Sequence, residues 1–137
     1  MTDIYTENVE EDFEYRGFRC LIKALPMGHR CGYVVLPAGH VMTADPDAAD
    51  SICVHGGWTF NQRVNGDVVF GFDCMHDGDS PDPELLGNGD PFLRMMMHSM
   101  NESLGIAGGH IWTREDVHSE LERVVDDIVE LEKKDLS

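Results

Sequence analysis

Apolar and polar positions divide the chain into short dense runs in its first half and longer periodic stripes in its second. The run from Gly17 to Leu25 reads as a strand stopped by Pro26, and Cys31 to Leu36 reads as another stopped by Pro37. The turn between them, Met27-Gly28-His29-Arg30, makes the pair a hairpin. Two further apolar segments, Ile52 to Phe60 and Val68 to Asp79, read as buried strands. The linker from Asn61 to Asp67, with Asn65-Gly66-Asp67, reads as their hairpin loop. Residues 38–51 and the stretch from Ser80 to Gly89 are expected to be loops.

The periodicity then changes. Asp90 is a good N-cap with Pro91 in the first turn, and Phe92, Met96, Met100 and Leu104 follow at four-residue spacing, ended by Gly105. Core packing is the expected use of that stripe, methionine being a filler of irregular gaps; an adaptable binding face is the alternative. A hinge from Gly105 to Gly109 leads through His110-Ile111-Trp112 to Thr113, with Asp116 three residues on as in a capping box. Val117, Leu121, Val124, Val125, Ile128 and Leu131 then make a continuous apolar stripe, to be buried on the sheet or on a second subunit. The fold class is α+β: a sheet of about four antiparallel strands, then two C-terminal helices. Residues 1–15 are expected as an acidic N-terminal arm, residues 16–137 as a single α+β domain, and the protein as a homodimer through the long helix.

Charge narrows the function classes. Ten Lys and Arg stand against 26 Asp and Glu, a formal charge of −16. Such a surface repels nucleic acid, so DNA or RNA binding is not expected. No apolar run approaches the ~20 residues of a membrane span, and the acidic N-terminus has no basic start or apolar signal core. The expected location is therefore a cytoplasm, and the four cysteines, without CxxC spacing, are expected as buried thiols.

Candidate chemistry concentrates in the two central segments. Paired as neighbouring strands, they would bring His55, Asp73, Cys74 and His76 together at one end of the sheet. An Asp73 carboxylate orienting the His55 imidazole would make an acid–base pair, with His76 as a further candidate base. Such a pair is also common as pure architecture. Cys74 and His76 share a face of a strand, and His55 with His40 would complete a tetrahedral metal set. No metal-binding motif supports that set, and no cofactor is expected. As a nucleophile, Cys74 would need a nearby cation, and the local charge is negative. For a binding pocket, Gly56-Gly57 offers open backbone amides beside Trp58, and His40, Arg30 and Arg63 are candidates to contact a ligand, the two arginines at phosphate.

Three blocks carry a resemblance. Gly32-Tyr33-Val34-Val35-Leu36-Pro37-Ala38-Gly39-His40, Val54-His55-Gly56-Gly57-Trp58-Thr59-Phe60, and Gly71-Phe72-Asp73-Cys74-Met75-His76-Asp77-Gly78-Asp79 resemble a family of small phage and prophage proteins with GYV..P.GH, VHGG.TF and GFDC.H.GD segments in this order. The residues after His40 are Val41-Met42-Thr43-Ala44, where that family often has a Pro-Leu-Tyr-Gly-like run. The resemblance implies a viral origin and a host-cell cytoplasm. Size and layout are also analogous to small phage proteins that sequester or cleave nucleotide-derived defence signals. The leading expectation is thus an anti-defence protein that sequesters a small nucleotide-like host signal. A His/Asp or metal-dependent hydrolase of such a signal is the first alternative, and an acidic inhibitor of a basic host protein the second.

Overall fold

A computed structural model of the chain describes residues 4–75, 78–105 and 109–135. Among these, five strands form one antiparallel sheet in the order β1-β2-β3-β5-β4. They are β1 (Val9–Tyr15), β2 (Phe18–Ala24), β3 (Arg30–Pro37), β4 (Phe60–Val64) and β5 (Asp67–Asp73). Two short helices, α1 (Val41–Ala44) and α2 (Pro46–Asp50), occupy the segment expected as loop. A two-stranded parallel piece, β6 (Asp79–Ser80) with β7 (His110–Ile111), stands apart from the main sheet. A 3₁₀ helix (Pro83–Gly89), α3 (Pro91–Ser103) and α4 (Arg114–Asp135) complete the α+β fold.

One face of the sheet packs on α4, while the other buries Leu21 and Val69, so the central strands are buried on both sides. Cys20 and Ile22 of β2, Val34 and Leu36 of β3, and Val68, Phe70 and Phe72 of β5 share the inner face with α4. Against them α4 lays Val117, Leu121, Val124, Val125 and Ile128, each fully buried. Gly32 makes this close approach possible: a Cβ there would stand 2.6 Å from the Phe72 ring and 3.2 Å from Val117. The start of α4 has the expected reciprocal cap, Asp116 N–H donating to Thr113 Oγ1 (3.1 Å) and Thr113 N–H to Asp116 Oδ2 (3.2 Å). With its stripe spent on its own sheet, α4 has no apolar face left for the dimer expected through it.

Four other expectations change. Half of the acidic arm is a strand: β1 pairs with β2, stacks Phe13 on the His118 ring (4.0 Å) and donates from Tyr15 to Asp126 of α4 (3.0 Å). Its aromatics face α4, so the boundary at residue 15 falls inside a sheet. Ile52 to Thr59 is not a strand, and β4 starts only at Phe60. The hairpin loop shortens to Asn65-Gly66, both at positive φ (51° and 88°), as a two-residue turn requires. Finally, α3 buries none of its side chains, so its methionine stripe is not core. No helix among the described residues is long and apolar enough to cross a membrane.

Candidate functional site

The VHGG segment is a tight turn. Gly56 and Gly57 sit at φ 69° and 80°, backbone that a side chain strains, and Gly57 N–H donates to the Val54 carbonyl (2.9 Å). The glycines therefore break the expected strand and project His55 from the bend. Its backbone N–H donates to Glu120 Oε2 of α4 (2.8 Å), which fixes the turn against the helix.

The His55 ring meets two groups from distant parts of the chain. Nε2–H donates to Asp79 Oδ2 at 2.8 Å, and the other carboxylate oxygen accepts from Trp112 Nε1 at 3.0 Å. The imidazole lies 4.2 Å from the Trp112 ring, tilted by 34°. The Asp79 side chain is 4% exposed and the His55 side chain 23%, so a buried carboxylate orients a partly accessible imidazole. Parallel pairing of β6 with β7 sets Asp79 opposite His110 and so delivers Trp112 to the cluster.

Beside this cluster lies a cavity of about 280 Å³ lined by His110, Trp112, Asp116, Ser119, Glu120 and Arg123. Its walls are net acidic. Arg123 is shared between Glu120 (2.9 Å) and Asp127 (3.0 Å), and the bond to Glu120 is the main reason its pKa stands above the ordinary value. His110 pairs with Asp116 (3.3 Å). Phosphate groups would meet carboxylates here rather than an uncommitted cation.

Arg30 is not available to a ligand. It is buried, with Nε and Nη2 on Glu10 (2.7 and 3.0 Å) and Nη1 on Asp82 (2.6 Å) and on the Trp112 carbonyl (2.9 Å). Burial pulls its pKa down, but the bonds to Glu10 and Asp82 outweigh that and leave the guanidinium above its ordinary value. Its role is to hold Trp112 from behind, joining β1 and the Asp82 loop to the site.

The remaining expected site residues disperse. Trp58 donates to the Ala49 carbonyl (3.1 Å) and lines a separate cavity of about 360 Å³ with Met42, Asp50, Phe60 and Phe70. The two cavities share no wall residue. Arg63 is exposed on the edge strand β4 and lines neither. His40 caps α1, accepting from Met42 N–H (3.1 Å), and reaches Glu132 through Nε2 (3.0 Å). Asp73 ends β5, where Oδ1 accepts from Met75 N–H (3.1 Å). It has no His55 across from it because the strand expected to carry His55 is a turn. Cys74 is buried, and desolvation, with nearby Asp79 adding, pushes its thiol far up, the opposite of what a nucleophile needs. His76 lies outside the described residues. Among the described residues, no group of three or more His, Cys, Asp and Glu is placed to hold a metal ion.

Sequence reasoning singled out His55 but overlooked Asp79, Trp112 and Glu120, which the fold brings against it, and Gly56-Gly57, expected to offer open amides, shape the turn instead, with Gly57 N–H spent on Val54. Asp79 was the more accessible, since it closes the GFDC.H.GD block; Trp112 is one of two tryptophans and stands just before a helix cap. Comparison of the chain with protein-family models, with curated proteins and with solved structures finds no match.

Proposed function

We propose that this protein sequesters a small ring-bearing molecule of the nucleoside class at the His55–Asp79–Trp112 cluster. One observation carries the reading: two sequence blocks and a tryptophan from a third segment converge on one hydrogen-bonded group with rings in contact, and its tryptophan forms part of the wall of a cavity. An aromatic face and an oriented imidazole recognise a flat heterocycle by stacking and by hydrogen bonding to its edge. The acidic walls favour the base end of such a molecule and would leave any phosphates in solvent. Sequestration of a host signal is the role suggested by the analogy in size and layout to small phage proteins of that kind.

The His–Asp pair favours a second reading, hydrolysis. Asp79 fixes the orientation of the His55 ring, as a carboxylate does for an imidazole that acts as general base.

Both readings meet one experiment. Purified protein is incubated with nucleosides, linear nucleotides and cyclic nucleotides, the solution is separated from protein, and the protein is then heat-denatured. Mass spectrometry reads both fractions. A compound that leaves solution and returns intact supports sequestration, and one that returns as product supports hydrolysis. In either case His55→Ala should abolish the effect with the circular-dichroism spectrum unchanged. No depletion by any compound overturns both and turns attention to a basic protein partner.

A further inference from the structure

The helix α3 is inside out. At about 100° per residue, Arg94, Met97, His98 and Asn101 share one side, and these are its half-buried positions. Arg94 donates to the Glu84 carbonyl of the 3₁₀ helix (3.2 Å), while its buried Nε has no partner among the described residues. The opposite side carries Phe92, Leu93, Met95, Met96, Met100 and Leu104, which are 46–68% exposed. Helices this short owe their stability in proteins to packing of the apolar face, and here the polar side does the packing.

We infer that this face is covered by the same face of a second copy. Area supports it. Six side chains of about 200 Å² each, at these exposures, present on the order of 650 Å² of apolar surface. Two such faces would cover roughly 1,300 Å², within the ~1,200–2,000 Å² of stable interfaces. Charge supports it as well. The arc holds no charged residue, only Ser99 and Ser103 among its apolar side chains, so two copies meet without burying a charge. A basic segment would instead need carboxylates at the rim, and those nearby are engaged: Glu102 with His98 (2.8 Å), Glu84 with Arg94 (3.8 Å), and Asp90 with the N–H groups of Phe92 and Leu93. The pairing is isologous, α3 against α3 across a two-fold axis. It is independent of the ligand reading.

The test is sedimentation equilibrium of the full chain at low and high salt. Wild type should sediment at twice the monomer mass, and the association should tighten with salt as repulsion between two copies of charge −16 is screened. Met96→Glu with Met100→Glu should give the monomer with an unchanged circular-dichroism spectrum, both positions being exposed. A wild-type monomer at every concentration and salt up to about 100 µM, in the range where such interfaces form, overturns the inference. So does a double variant that still dimerises. Release of the dimer by salt, as a charge-driven contact would show, also overturns it.

Discussion

Two helices of this chain advertise the same thing in sequence and do opposite things in space. Both α3 and α4 carry apolar side chains at helical spacing behind a well-formed N-cap. Along α4 every member of the stripe from Val117 to Ile128 is fully buried on the sheet. Along α3 the stripe is exposed, and the polar side rests on the 3₁₀ helix. An amphipathic stripe therefore states that a helix will have a partner, and leaves open whether the partner lies in the same chain. The face of the sheet that carries Cys20, Val34 and Phe70 is covered by α4, the longer helix, whereas α3 rests on the 3₁₀ helix with its apolar side outward.

That contrast can be broken by substitution. Leu121→Ala should destabilise the protein by about 2–5 kcal/mol, the usual cost of a cavity in a packed core, read as a lower denaturant midpoint. Arg30→Ala should cost about 3 kcal/mol, because Asp82 stays buried and Glu10 loses its partner. The same change should also weaken ligand retention by releasing the Trp112 carbonyl. Asp79→Asn should cost about 1–2 kcal/mol, since the amide can satisfy only part of what His55 and Trp112 now share. Met96→Ala, in protein diluted to the monomer, should stay within about 0.5 kcal/mol of wild type. A Met96 effect as large as that of Leu121 would mean that α3 packs inward after all.

The smallest effect is a pH dependence on the polar side of α4. Hydrogen bonding from Arg16, reinforced by Tyr15, holds the Asp126 carboxyl below its ordinary 3.8. The folded state thus binds that proton less readily than the unfolded chain. The resulting stabilisation is complete above 3.8 and fades as pH falls through the lower folded value. Asp126→Asn should flatten the acid limb of a melting-temperature profile between about pH 5 and pH 2, slightly, because the pair is exposed.

How legible this was in sequence varies by element for physical reasons. β2, β3 and β5 were legible because each is apolar on its inner face and ends at a proline, an asparagine–glycine turn or a cluster of acids. The α4 cap was legible as Thr113 with Asp116. β4 was not, because an edge strand reading Phe-Asn-Gln-Arg-Val buries too little to leave a pattern, while the more apolar Ile52 to Phe60 held a Gly-Gly turn. β1 was hidden by its acids, although Phe13 and Tyr15 sit two apart on the side facing α4. At the site, His55 was legible as a chemical group, but its partner followed from pairing between β6 and β7, too short to predict. Arg30 misled because a cation in an acidic chain looks available until its carboxylates are placed around it.

The hidden strand β1 has a consequence for how this protein survives in solution. It is an edge, with backbone hydrogen-bonding groups on its outer side, and its Asp12 and Glu14 are exposed beside a register shift between Val9 and Glu11. Charges and irregularities on an edge keep it from templating another molecule's strand. The outer row of β1 stays closed to other strands only while those charges stand on it. Asp12→Ala with Glu14→Ala should therefore turn the chain toward β-rich aggregates, visible as turbidity and dye binding, under conditions where the wild type stays clear.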